Sequence, residues 1–173
     1  MLEALIFVVF PFCMLFAAFS DMLSMSIANR VPLLLVAAFL VVAPLTGMDL
    51  TAIGWHLAAG ATVLVVTFGL FAVGGMGGGD AKLLAATSLW LGRNFSLLEY
   101  LVVSAVLGGQ LTVLILFFRS SPFAVFAGNN RFLRNFTSQA DGVPYGIALG
   151  FGGLIAFSNS PLALWAVDNL AAR

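Results

Sequence analysis

Long apolar runs, separated by short polar or glycine-rich breaks, make up most of the chain. These runs do not alternate apolar with polar residues, as the strands of a membrane β-barrel do. A helical membrane span needs about 20 apolar residues, so each run predicts a helix that crosses a bilayer. The six predicted spans cover about residues 4–19, 31–45, 52–73, 81–91, 97–118 and 143–156, the last extending to 167 if its helix continues past Pro161.

Composition narrows the class of protein. Of the 173 residues, 62% are apolar and 8% are charged, whereas a soluble domain carries about 25% charged residues. A soluble globule, a disordered tail and a nucleic-acid binder are therefore excluded. We predict an all-α polytopic integral membrane protein in which residues 1–173 form one membrane-embedded domain. Because the chain has one cysteine, Cys13, and one histidine, His56, we expect neither a metal site nor a cofactor.

The basic residues predict the orientation. Lys and Arg accumulate in cytoplasmic loops, and the loops after the first, third and fifth spans hold five of the seven basic residues. We therefore expect a multi-pass protein with these loops in the cytoplasm and both termini outside; the family resemblance described below implies the inner membrane. The first apolar run has no Lys or Arg before it, which predicts a retained span rather than a secretory signal. The five residues are Arg30, Lys82, Arg119, Arg131 and Arg134.

Acidic residues near membrane spans are costly and are therefore candidates for function. Four of the seven acids lie at the predicted outer ends of the spans, where we expect water to solvate them. The other three, Asp21, Asp80 and Asp141, lie on the predicted cytoplasmic side. Asp141 stands in a polar stretch and is interpreted as a solvated loop acid, with tuning of the other two acids as the alternative, so Asp21 and Asp80 are the main candidates.

Asp80 follows three consecutive glycines, Gly77, Gly78 and Gly79, at the start of the fourth span. A glycine run is costly in backbone entropy, so it indicates either close approach, for example of an extended peptide backbone, or special backbone dihedral angles. Asp80 either only caps the helix or carries chemistry together with Asp21, which lies at a similar depth. Two carboxylates held close in a weakly hydrated site share one proton. One can then activate water while the other polarises a carbonyl, as in an aspartic protease.

The segment GGGDAKL at 77–83, with Asp21, Ile27 and Asn29 before it and PYGIAL at 144–149 after it, resembles the type IV prepilin peptidase family of GxGD membrane aspartic proteases. The family usually has Ile-Pro-Asn where this chain has Ala28 in place of the proline. The resemblance implies that Asp21 and Asp80 are the catalytic pair. It also implies that the residues shaping the site and holding the substrate are Gly77, Gly78, Gly79, Lys82, Asn29, Pro144, Tyr145 and Gly146.

The resemblance implies an endopeptidase that cuts the short basic leader from prepilins at the cytoplasmic membrane face. The product is a hydrophobic helix that the pilus-assembly machinery uses, so prepilin and membrane lipid are the expected partners, and nucleic acid is not. Longer family members carry paired cysteines and also N-methylate the product. With Cys13 alone, this chain resembles the short Flp/Tad and archaeal preflagellin peptidases, and we expect no methyltransferase activity.

Two other interpretations use the same acids. In a small transporter or channel, Asp21 and Asp80 would bind ions or protons and the glycine run would be a broken helix. No internal repeat supports this interpretation. A GxGD protease of the presenilin or signal-peptide-peptidase type would place a tyrosine before the first aspartate, where this chain has Ser20.

Overall fold

The computed structural model describes residues 1–121 and 142–172, so Arg131, Arg134, Asp141 and Arg173 lie outside the described residues. The described part is helical throughout and has no strands, in agreement with the predicted fold class. Its seven helices are α1 (Leu2–Ser24), α2 (Arg30–Leu45), α3 (Leu50–Ala72), α4 (Gly78–Leu91), α5 (Phe95–Arg119), α6 (Tyr145–Phe157) and α7 (Pro161–Ala171).

The chain is a multi-pass membrane protein, but the predicted six spans are not confirmed. Among the described residues, α1, α3 and α5 are long and apolar enough to cross a bilayer. A fourth span results if α6 and α7, which meet at a 45° bend, are taken as one. By contrast, α2 has 16 residues and is about 24 Å long at 1.5 Å per residue, less than a hydrocarbon core of about 30 Å.

Helix α4 lies at the centre of the described bundle. It packs against α2, α3, α6 and α7, and its side chains from Leu83 to Leu91 are all buried. The indole Nε1 of Trp90 donates a 2.9 Å hydrogen bond to the Leu35 carbonyl of α2. An unpaired indole N–H is costly away from water, so this bond fixes α4 against α2. Its first turn, which carries Asp80, consequently lies in the middle of one end of the bundle.

The opposite end of α4 is fixed by His56 of α3. The imidazole Nδ1 lies 2.6 Å from the Leu89 carbonyl oxygen, and the ring stacks on Phe39 at 5.3 Å between centroids. This bond satisfies one of the carbonyls that a helix leaves free in its last turn. Gly92, at φ +66°, ends α4 where a Cβ would lie 2.5 Å from the imidazole, so His56 has a structural role.

Candidate active site

Asp21 lies near the end of α1 and reaches the start of α6. Its side chain is buried, and Oδ2 accepts a 2.7 Å hydrogen bond from the backbone N–H of Gly146. Gly146 is in the first turn of α6, where backbone N–H groups have no partner inside the helix and carry a partial positive charge. The helix terminus therefore holds the Asp21 carboxylate in place and stabilises its negative charge.

Asp80 lies in the first turn of α4, three residues after Gly77, which occupies the N-cap position. The backbone N–H of Gly77 lies close enough to the Asp80 carboxylate to stabilise its negative charge. An acid in the first turn of a helix also interacts favourably with the free N–H groups there. Asp80 is thus placed to stabilise the start of its helix, as one interpretation of the sequence proposed.

Both carboxyl groups line one cavity of about 480 Å³ at the end of the bundle where α4 and α6 begin. They are near enough for their charges to interact, and within the described ranges no hydrogen bond joins them. Two acids in one poorly solvated cavity cannot both ionise easily. The remaining cavity walls are formed by Met25, Gly74, Gly75, Met76, Gly77, Gly142, Val143, Tyr145 and Leu149.

The three glycines before Asp80 each allow a different close approach. A Cβ on Gly77 would lie 2.9 Å from Asp80 Oδ2, and one on Gly78 would lie 3.2 Å from the Phe71 ring. A Cβ on Gly79 would lie 3.2 Å from the Cβ of Ile27. The close approach that the sequence indicated is thus made by the protein's own side chains. At Gly79, this contact lets the segment after α1 pack against the start of α4.

Lys82 and Asn29 lie together, but outside the cavity. Lys82 Nζ donates a 3.0 Å hydrogen bond to Asn29 Oδ1, and both residues line a separate groove between α2, α3 and α4. Asn29 occupies the N-cap position of α2 without a side-chain capping bond. Any role of this pair in the site remains a prediction.

The segment before α6 forms the opposite wall of the cavity. Pro144 is the buried N-cap residue of α6, and Tyr145 lines the cavity. The Tyr145 hydroxyl lies 2.9 Å from Thr112 Oγ1 on α5. Its ring lies over Gly108, where a Cβ would come within 2.9 Å of Cδ1 and Cε1. Sequence reasoning missed Thr112 and Gly108, since no motif marks them.

Gly108→Ala is expected to displace the Tyr145 ring from the cavity wall, because the ring and α5 cannot both keep their positions. Overpacking of this kind costs about 1–3 kcal/mol, so we expect a lower unfolding temperature and a cavity of altered shape. The matched control is Gly109→Ala on the same helix, since nothing lies within 4 Å of a Cβ there. Thermal unfolding of both variants in detergent measures the effect, and equal temperatures would show that Tyr145 does not depend on Gly108.

The residues that the structure describes do not form a cluster of metal-ligating side chains. No group of three or more His, Cys, Asp and Glu side chains that could hold an ion occurs among these residues. The cavity therefore offers two carboxylates, of which Asp21 is bonded to the Gly146 N–H and Asp80 lies beside the Gly77 N–H.

Comparison with known proteins gives one match. A family model described as the type IV leader peptidase family matches residues 8–128, a range that includes Asp21, Asn29, the three glycines, Asp80 and Lys82. No curated protein and no solved structure matches the chain significantly. The family named by this match is the one that the motifs around Asp21 and Asp80 resemble.

Proposed function

The chain belongs to the type IV leader peptidase family, and from this premise we propose that it is a membrane aspartic endopeptidase acting on prepilins. It removes the short basic leader of Flp-type prepilins at the cytoplasmic membrane face, and Asp21 and Asp80 form the catalytic pair. The observation that carries this proposal is that two acids 59 positions apart in sequence line one cavity.

The chemistry follows from a pair that holds one proton between two carboxyl groups. The ionised carboxylate takes a proton from water as the water oxygen bonds to the carbonyl carbon of the scissile peptide. The protonated carboxyl donates a hydrogen bond to the carbonyl oxygen and stabilises the charge that develops there. Return of a proton to the amide nitrogen then breaks the C–N bond. The N–H group of Gly146 holds the Asp21 carboxylate in place for these steps, and the N–H group of Gly77 stabilises the negative charge of Asp80.

The walls of the cavity suit a peptide substrate. One wall is formed by Gly74, Gly75, Met76 and Gly77. Met76 has the only side chain among these four residues, so a substrate backbone can come close to this wall. A bound peptide must be extended for water to reach its carbonyl carbon, and a wall of glycines lets such a backbone approach closely. No hydrogen bond joins the carboxyl groups across the described cavity, and substrate docking closes the pair.

The remaining parts of the proposal concern the whole chain. Residues 1–173 act as one membrane-embedded unit with six crossings, to which the shorter α2 and α4 contribute. The acids face the cytoplasm and both termini lie outside, because the basic residues favour that orientation. The chain is a peptidase without N-methyltransferase activity and supplies mature pilins to the pilus-assembly machinery. Pro144, Tyr145, Gly146 and the glycines at 77–79 shape the site, and Asn29 and Lys82 assist beside it.

Co-expression with a Flp-type prepilin tests the function. We expect the wild-type chain to convert the prepilin to a shorter product whose intact mass equals that of the precursor minus its basic leader. Cells without the chain are the control and should contain precursor alone. A prepilin that stays at full length beside a correctly inserted chain would contradict the proposal. If liposomes that contain the chain then conduct protons or ions, the transporter interpretation is favoured instead.

A further inference from the structure

A second groove, here called the α3/α5 groove, runs along the side of the described bundle. Helix α3 packs mainly on α4, and α5 packs mainly on α6, so α3 and α5 stand apart with a cavity of about 410 Å³ between them. Apart from Arg93 its lining is uncharged. The groove is lined by Trp55, Ala58, Ala59, Thr62, Val63, Val66, Thr67, Arg93, Leu97 and Leu101.

The inner end of the α3/α5 groove lies beside the start of α4, the helix that carries Asp80. At its inner end, Thr67 Oγ1 lies 3.4 Å from the carbonyl oxygen of Ala81, the residue after Asp80. Beyond α3 the chain continues into the glycine wall of the site, and the opposite wall is formed by Tyr145, which is bonded to α5 through Thr112. The α3 side of the groove thus ends next to the helical turn that carries Asp80, and both flanking helices, α3 and α5, also connect to walls of the site.

The groove has the dimensions of a short helical segment. Its α3 side extends from Trp55 to Thr67, which at 1.5 Å per residue is about 18 Å, or roughly 12 residues of a docked helix. At the outer end, the Arg93 guanidinium lies 4.3 Å above the centre of the Trp55 ring. An aromatic–cation pair of this kind is suited to the headgroup level of a membrane, so the groove spans from the interface to the depth of Asp80.

A competing groove does not reach the site. The α2/α3 groove is lined by α2, α3 and α4, and Asn29 and Lys82 lie at one end of it. Their hydrogen bond spans that end. Ile27 lies close against Gly79, 3.2 Å from where a Cβ would be. It thus packs between this end of the α2/α3 groove and the cavity that holds Asp80. A chain seated in the α2/α3 groove would have to displace these contacts to reach the carboxylates.

We propose that the α3/α5 groove binds the apolar segment of the substrate that follows the leader, as a helix, and so places the junction between leader and helix at Asp21 and Asp80. This inference rests on the proposed function and adds the docking surface to it. A lining that is uncharged apart from Arg93 at its outer end, exposed at the side of a membrane bundle, fits an apolar helix that arrives through the bilayer, since close packing drives helix association in lipid.

Two substitutions on α3 test the docking surface. Ala58 lines the α3/α5 groove and Ala61 lines the α2/α3 groove, and both are exposed. Ala58→Trp fills the proposed docking surface, whereas Ala61→Trp adds the same bulk to the other side of the same helix. We expect Ala58→Trp to lower kcat/KM for prepilin about tenfold, chiefly through a higher KM, and Ala61→Trp to stay within about twofold of wild type.

Photo-crosslinking gives a second measurement that does not depend on the tryptophan variants folding. A benzophenone amino acid is placed at Val66 in the α3/α5 groove or at Leu64 in the α2/α3 groove, in an Asp80→Asn background that retains substrate. The two positions lie at similar depth and both are exposed. We expect crosslinks to prepilin from Val66 and not from Leu64.

The outcomes separate this inference from the proposed function. If the wild-type chain cleaves prepilin but Ala58→Trp matches Ala61→Trp, the α3/α5 groove is not the docking surface, although the chain remains a peptidase. Crosslinks from Leu64 alone, or from Val66 to lipid alone, overturn the inference in the same way. Failure of the wild-type chain to cleave any prepilin instead contradicts the proposed function.

Discussion

Asp21→Asn and Asp80→Asn are each expected to lower prepilin cleavage by about 10³-fold, since general acid–base catalysis by one group contributes roughly 10²–10⁴-fold. An asparagine amide can neither take the proton from water nor hold the proton that the pair shares. Because the two carboxyl groups act as one unit, the double variant should be about as inactive as each single variant. Quantifying mature pilin against precursor over time measures the effect.

The two variants should still fold and insert. Asparagine has nearly the shape of aspartate, and at position 21 its Oδ1 can accept the hydrogen bond that the N–H of Gly146 donates. At position 80 its Oδ1 can lie beside the Gly77 N–H as the carboxylate oxygen does. The matched control is Asp49→Asn. Asp49 is the N-cap residue of α3, where it accepts a bond from the Thr51 N–H, and asparagine caps a helix as well as aspartate does. We expect Asp49→Asn to process prepilin at the wild-type rate.

Full processing by either site variant would exclude that aspartate from catalysis. A loss in all three variants would instead trace the defect to insertion, which the amount of protein in the membrane fraction reports. Only loss at Asp21 and Asp80, with activity kept in Asp49→Asn and equal membrane levels in all, supports the catalytic pair. This pattern would also count against a role in which Asp80 only caps its helix, because asparagine stabilises the start of a helix about as well as aspartate does.

The sequence predicted the helices better than it predicted the spans. Apolar runs locate helices because an apolar surface must leave water, in a bilayer as in a protein core. Hydropathy does not distinguish a helix that faces lipid from one that lies inside the bundle, and α4 is of the second kind, with only 14 residues. Glycines flank it on both sides, at Gly77 and Gly92, and the short fourth span predicted at 81–91 is not confirmed by its length.

The site could be predicted in part. Asp21 and Asp80 are predicted as the candidate pair because both are acidic, lie on the same predicted side of the membrane and lie at a similar predicted depth. The order of the spans determines this side and depth. The bond from Gly146 to Asp21 joins residues 125 positions apart, and only the packing of α1 on α6 brings them together. Lys82 stands two residues after Asp80 in the motif, but two residues along an α-helix correspond to about 200° around its axis. Lys82 therefore faces the α2/α3 groove rather than the cavity.

Gly146→Ala is expected to lower cleavage by about 100-fold, since a misplacement of roughly 1 Å at a reacting group can cost that much. A Cβ at this position would lie 2.6 Å from the Cβ of Asp21, 3.0 Å from its Cγ and 2.9 Å from Oδ2. The Asp21 Cβ is fixed to the backbone of α1, so a new rotamer cannot remove the clash. Either α1 and α6 separate, or the carboxylate leaves the N–H that holds it.

Two further glycine variants separate misplacement of Asp21 from general loosening of the bundle. Gly150 lies one turn further along α6, and a Cβ there would come within 2.8 Å of the Met14 carbonyl oxygen and 2.9 Å of the Ala18 Cβ. Gly150→Ala therefore strains the same contact between α1 and α6 away from Asp21. Gly69→Ala is the neutral control, since nothing lies within 4 Å of a Cβ there and alanine favours a helix.

The unfolding temperature and the cleavage rate should respond differently in these three variants. Overpacking costs about 1–3 kcal/mol at either crowded position, so Gly146→Ala and Gly150→Ala should unfold at similarly lowered temperatures. At a temperature where both remain folded, Gly146→Ala should cleave prepilin about tenfold more slowly than Gly150→Ala, because only the first displaces the carboxylate itself. Equal rates in the two variants would mean that the Asp21–Gly146 contact holds α1 against α6 and does nothing further for the reaction.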